Sequence, residues 1–414
     1  MKTKISTKSI KSFAVKSTFY LLPFWTLRLQ SIKFFEIPLM LLLLYSISAP
    51  FLTGAGDTQN STFYGHRASK PLVYMLLFYL MYFIYGIAYI YYKLAPLGYI
   101  LWADGVYSYY VWNILYLLQV ILILLITHHQ AQYGNSISKG DILTLLFANI
   151  VLLIAVNAAT GSLNAFFSEK GPLGQYLACL GIFYYELETK IHRRWYAVIL
   201  IVSICIYMRS TRGMLLLLLY VALSRIKRIH ITPKILALAA LVSGVFYILF
   251  LYDVAHIALK FSFIISIIAA IIFSSASSPL SVLVQRHSVG RYAAPFILKY
   301  SIGHNMFFGA GLANYMYVRD VWGWYLPYVP HDYAGVLIID TAVEFGIIGM
   351  AVWYYLFYRI SSQAVDTSTR KMFIVFFLAC TFLANTNDYL SFILLSYYVG
   401  ILRNKKCSMA ITTA

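Results

Sequence analysis

The sequence predicts an all-α polytopic membrane protein, with about 11–12 transmembrane helices and a large outward-facing loop domain. Three observations carry this. Of 414 residues, 61% are hydrophobic and 11% are charged, against about 25% charged in soluble domains. Mean hydropathy is +0.75. Apolar runs close to the roughly 18–20 residues that cross a bilayer recur along the chain, without the short alternating segments of a membrane β-barrel.

The elements follow in order. Residues 1–34 open with "MKTKISTKSIKSFAVKS". This is basic and has no apolar core ending in a small-residue cleavage site, so it reads as a cytosolic tail and interfacial segment, not a signal peptide. An N-terminal transmembrane bundle, 35–252, holds apolar segments near 35–53, 71–92, 109–127, 142–160, 172–187, 196–209, 213–224 and 235–252. Residues 253–332 form the extracytoplasmic loop domain, with one thirteen-residue apolar run, "FSFIISIIAAIIF", too short for a comfortable span. Segments near 333–357, 372–386 and 388–402 complete the C-terminal helices of 333–414, which end in a short cytosolic tail.

Basic clusters set the orientation. They lie at Lys190, Arg193 and Arg194; at Arg225, Lys227, Arg228 and Lys234; at Arg359, Arg370 and Lys371; and at Arg403, Lys405 and Lys406. All four are predicted on the cytosolic side, which puts the turn at 209–213 and the region 253–332 outside. Five segments between the basic N-terminus and the cluster at 190–194 leave the count one short, and 93–108 is the expected place for a short or re-entrant helix.

The net charge is +18. Because the cations sit between apolar runs, anionic lipid or a pyrophosphate-bearing substrate explains the excess, and nucleic acid is excluded as a partner. Cys179, Cys205, Cys380 and Cys407 are far apart and form no metal or disulfide framework.

Three constellations carry chemistry. "MRSTRG" puts Arg209 and Arg212 at the outer end of a helix hairpin. They read either as interfacial snorkelling or as an anion clamp, since a planar guanidinium matches phosphate oxygens. The stretch from Arg286 to Met316 holds Arg291 and Lys299 eight residues apart and then "FGAGLANY". Gly309 and Gly311 there allow a tight turn and close backbone approach to a ligand. The third, "PHDYAGVLIIDTAVEFGIIG", places His331 where the loop enters a helix, as an interfacial histidine or a general base. Asp332 is its orienting partner or the helix N-cap. Asp340 and Glu344 share a helix face, and Glu344 lies about 20 Å along from His331 at 1.5 Å per residue. These two read as polar groups facing the bundle interior, and Gly346 and Gly349 as sites of close helix packing.

In order and spacing these motifs resemble the bacterial O-antigen polymerase and O-antigen ligase superfamily of membrane glycosyltransferases. Thr211-Arg212-Gly213 matches its Ser-Arg-Gly, with Thr in place of Ser. Gly290-Arg291 and Phe308-Gly309-x-Gly311 match its second signature, and His331-Asp332 with Glu344-x-Gly346-x-x-Gly349 its third, with Asp in place of Asn. The proline that often precedes the Phe-Gly-x-Gly turn is missing from "GHNMFFGAG", and Trp102-Ala103-Asp104 is consistent with the same family.

The resemblance implies a GT-C-like architecture in the bacterial inner membrane, with the active site facing the periplasm. It implies an undecaprenyl-pyrophosphate-linked glycan as donor and as acceptor, membrane lipid around it, a chain-length regulator as candidate partner, and no cofactor or metal. Arg212 and Arg291 would bind the pyrophosphate, His331 would act as the catalytic base, and Arg209, Arg286, Lys299 and Asp332 are auxiliary candidates. The expected activity is polymerisation of O-antigen, capsule or exopolysaccharide repeat units. A ligase moving glycan to lipid A-core is the near alternative. A lipid-linked glycan or ion-coupled transporter, using Asp340 and Glu344 as relays, is the alternative of another class.

Overall fold

The computed structural model describes residues 7–24, 27–29, 32–52, 69–94, 105–135, 137–163, 165, 167, 170–224, 301, 303–312, 314–315, 318, 337–362 and 390–413. They form ten α-helices: α1 Thr7–Leu21, α2 Glu36–Leu52, α3 Ser69–Tyr89, α4 Gly105–Tyr133, α5 Lys139–Thr160, α6 Lys170–Leu187, α7 Ile191–Tyr207, α8 Thr211–Ser224, α9 Leu337–Ser362 and α10 Leu390–Thr413. A π-turn, Ile90–Leu94, extends α3, and one antiparallel ladder pairs Arg28–Leu29 with Ile32–Lys33. Among the described residues four spans are long and apolar enough to cross a membrane: Lys70–Lys93, Ile114–Tyr133, Lys139–Thr160 and Asp340–Ser362. Among the described residues the architecture is that of an all-α membrane protein. The expected segments at 235–252 and 372–386, most of the loop domain, and residues 95–104 of the expected re-entrant stretch lie outside the described residues.

Local chemistry fixes the helix ends where the sequence supplies caps. Ser138 accepts the backbone N–H of Asp141 while Asp141 accepts that of Ser138, a reciprocal capping box at the start of α5. Gly161 closes the same helix in the left-handed conformation at φ 70°.

Helix α6 is the hub. Leu173, Tyr176, Leu177, Cys179, Leu180 and Phe183 are all buried, as expected of a helix that is apolar all round and enclosed by neighbours. Helices α5, α7, α8 and α10 pack on it. α5 and α7 keep apolar outer faces, Phe147 and Ile154 on one and Tyr196 and Ile199 on the other. In a bilayer such faces meet lipid tails, where exposure carries no penalty.

Cross-helix partners give the helix directions. Gln175 meets Ser391, and Phe183 stacks on Tyr398. Glu186 pairs with Lys405 at 2.6 Å and accepts the Tyr220 hydroxyl. Thr127 meets Ser396 at 2.5 Å. Helices α4, α6, α8 and α10 are therefore parallel. Their C-terminal ends converge where Lys190, Arg193, Arg194, Arg403, Lys405 and Lys406 lie, which is called the basic end below. Two further ion pairs hold it, Lys16 with Asp141 at 3.1 Å and Lys139 with Glu188 at 3.0 Å.

The expected N-terminal tail is structured at this end. Residues 7–21 form α1, whose Val15 and Phe19 are buried in the core, with the Phe19 ring 4.7 Å from that of Tyr397. Tyr397 also donates its hydroxyl to the Val15 carbonyl at 2.5 Å. The basic composition concealed an apolar face made by only a few residues.

Candidate functional site

At the end of the bundle opposite the basic end, the chain turns from α7 into α8 over Met208, Arg209 and Ser210. The Ser210 N–H donates to the Cys205 carbonyl at 2.8 Å and the Arg209 N–H to that of Ile206 at 2.9 Å. The tightness forces Arg209 into the left-handed region at φ 56° and leaves its side chain exposed. Helix α8 then presses on α6 at a glycine contact: a Cβ on Gly213 would collide with the Gly174 carbonyl, and one on Gly174 with the Ser210 hydroxyl. Small residues on both sides bring the backbones together.

This approach carries Arg212, the neighbour of Gly213, into the bundle. It is 8% exposed, and its Nη1 donates to Gln175 Oε1 at 3.3 Å. Gln175 Nε2 in turn donates to Ser391 Oγ at the described start of α10. Gln175 and Ser391 are 1% and 2% exposed. A fixed guanidinium thus sits in the first turn of α8, where the helix dipole adds partial positive charge. Such a place favours an anion. The next residue, Phe392, lines a small aromatic cavity with Tyr79, Gln119, Thr341, Phe345 and Trp353. The start of α10 therefore touches the cationic cluster on one face and an apolar cavity on another.

The two glycine motifs form a second feature. Helix α9 breaks at Gly346, φ 65° and ψ −177°. The chain from Asn305 to Leu312 inserts there. The N–H groups of Ala310 and Gly311 donate to the carbonyls of Val343 and Glu344 at 2.8 and 2.7 Å. Those of Ile347 and Ile348 donate back to Met306 and Phe307 at 2.9 and 3.2 Å. On the other side the Leu312 N–H donates to the Tyr82 carbonyl at 3.1 Å, and Asn314 Nδ2 to that of Gly86 at 3.0 Å. Gly309 and Gly311 both have positive φ, and a Cβ on Gly311 would strike the backbone of Gly86. The expectation of a backbone approach to a ligand is corrected here: what these glycines approach is the backbone of α9 and α3. Gly349 likewise admits the Tyr82 hydroxyl, which donates to the Phe345 carbonyl at 2.9 Å.

Asp340 and Glu344 precede the break and are 0% and 2% exposed. Of the other expected site residues, Arg286, Arg291, Lys299, His331 and Asp332 lie outside the described residues, as do Trp102, Ala103 and Asp104. Among the described residues no group of three or more His, Cys, Asp or Glu side chains is arranged to hold a metal. Gln175 and Ser391 were not anticipated from sequence. The one available signal was a single amide inside an apolar run, "GPLGQYLACLGIF".

No protein-family model and no curated protein matches the chain. The functional reading accordingly rests on its residues and their geometry.

Proposed function

We propose that this chain is a membrane glycosyltransferase. It polymerises undecaprenyl-pyrophosphate-linked oligosaccharide repeat units at the outer face of the bacterial cytoplasmic membrane. The observation that carries the reading is Arg212: a buried guanidinium in the first turn of α8, at the end opposite the cytosol-type basic clusters, tied to Gln175. The order of the motifs around Arg212, Arg291 and His331 supports it.

In this reading the acceptor is a sugar hydroxyl of the incoming lipid-linked repeat. Its oxygen attacks the anomeric carbon of the growing chain, and its proton passes to His331. The bond from that carbon to the pyrophosphate breaks, and undecaprenyl pyrophosphate leaves. Negative charge builds on the leaving group, and Arg212 with Arg291 stabilises it by fixed cationic donors.

The test is reconstitution with an undecaprenyl-pyrophosphate oligosaccharide as sole substrate. Wild type gives a ladder of products. Arg212→Ala and Arg291→Ala each lower the rate by about a hundredfold or more, and His331→Ala by a similar factor. Full activity in all three variants would sink the site assignment, and product only after lipid A-core is added would make the protein a ligase.

A transporter is the second reading, because carboxylates buried in a membrane bundle mark proton or ion relays and carriers place their sites at discontinuous helices. Asp340 and Glu344 are buried in the part of α9 that leads into the break at Gly346. That reading requires Asp340→Asn and Glu344→Gln to abolish function while Arg212→Ala is tolerated.

A further inference from the structure

We infer that Gln175 is a positioning residue for the pyrophosphate site: it aims the Arg212 guanidinium, and its neutrality keeps that site cationic. The inference rests on the anion-binding reading of Arg212 given above.

Gln175 lies in a stretch of α6 whose residues Leu173, Tyr176, Leu177 and Ala178 are all buried and apolar or aromatic. A buried amide there is unfavourable unless both of its ends are bonded. Both are. Oε1 accepts from Arg212 Nη1 at 3.3 Å, and Nε2 donates to Ser391. The amide is thus a strut across three helices, anchored to α10 at one end and holding the guanidinium of α8 at the other. An amide bonded at both ends has one orientation, so Ser391 acting through Gln175 fixes where the Oε1 acceptor meets Arg212 Nη1.

The choice of amide matters electrically. A glutamate of nearly the same shape would also accept from Arg212. It would add a negative charge at hydrogen-bond distance and cancel much of the cation's pull on a phosphate. Gln175 supports the guanidinium without this cancellation. The ligand chemistry that such a support serves is a diphosphate ester, whose oxygens take a planar, fixed fork.

The experiment uses the full-length protein in nanodiscs and compares two lipids, undecaprenyl pyrophosphate and undecaprenol. Their affinity ratio isolates the head group, and inorganic pyrophosphate as competitor separates a free-anion site from a lipid-linked one. Wild type prefers the pyrophosphate lipid. Gln175→Glu is expected to reduce that preference by about tenfold or more while undecaprenol binds as before. A merely structural role would lower both affinities together. Ser391→Ala, which releases the other end of the strut, is expected to reduce the preference several-fold, and it decides the matter if Gln175→Glu no longer binds undecaprenol.

Arg212→Ala tells the two claims apart. If that variant keeps the full preference, the anion-binding reading of Arg212 is wrong. If it loses the preference while Gln175→Glu and Ser391→Ala both keep it, the positioning role is wrong and the reading of Arg212 stands. Measurable competition by inorganic pyrophosphate that is equally strong in wild type and Arg212→Ala would likewise overturn the site.

Discussion

Glu188 shows how one side chain organises the basic end. It follows α6 directly, and its Oε1 accepts the backbone N–H groups of Thr189 and Lys190 at 2.9 and 3.0 Å. Its Oε2 accepts from Lys139 Nζ at 3.0 Å and from the Tyr184 hydroxyl at 2.9 Å. The Lys190 N–H first, then Lys139, hold the carboxyl at about 2, well below its ordinary 4.5. A depressed folded value means the unfolded chain takes up the proton first. The contribution to stability is therefore complete above about 4.5 and is lost as pH falls through about 2. Glu188→Gln should melt below wild type at neutral pH in thermal unfolding of the detergent-solubilised protein. The gap should close progressively as pH falls from 4.5 toward 2. A gap of constant size across that range would mean that Glu188 acts through shape and not through charge.

At the level of elements, the decisive feature is the interlock between the broken helix α9 and the segment from Asn305 to Leu312. A helix interruption within a membrane bundle frees carbonyl and N–H groups that need partners in the protein. Here the two segments supply them to each other. Gly346 holds a conformation that costs a side-chain-bearing residue about 1–3 kcal/mol, and a Cβ there would also strike the Phe307 carbonyl. Gly346→Ala and Gly311→Ala should each lower the thermal midpoint clearly. Gly303→Ala, with nothing within 4 Å of its added carbon, should fall within about 0.5 kcal/mol of wild type. Equal midpoints for Gly346→Ala and Gly303→Ala would refute the interlock.

The contrast between these glycines also shows what the sequence made legible. The helices α5 and α9 were visible as apolar runs, because periodicity and length are local properties. The partner of "FGAG" was not, because its bonds run from backbone to backbone across more than thirty residues, Ala310 to Val343 and Gly311 to Glu344. No side-chain chemistry marks such a pairing. Arg212 stood out as a charge at a helix end. Its support did not, since Gln175 and Ser391 come from two other helices and look like ordinary polar residues in apolar runs.

At the largest scale, the described bundle is polarised along its axis. One end gathers Lys190, Arg193, Arg194 and the Arg403–Lys406 stretch, with three ion pairs binding α1, α5, α6 and α10 together. The other end carries the α7–α8 turn, the exposed Arg209 and the Arg212 cluster. With a net charge of +18, the excess of cations in short connections is the pattern that, in the proposed reading, turns the basic end to the cytosol. The proposed reaction needs Arg212 near the opposite surface, so polarity and function stand or fall together. Thiols report this directly, because Cys407 is exposed beyond the basic end while Cys179 and Cys205 are buried. In a Cys380→Ser background, a membrane-impermeant maleimide applied to intact spheroplasts should label Arg209→Cys at once when Cys407→Ser is also present. Cys407 itself should react only after the membrane is opened. Labelling of Cys407 in intact spheroplasts, with Arg209→Cys protected until lysis, would invert the protein and place Arg212 beside the cytosol, where a reaction on outward-facing lipid-linked glycan has no substrate.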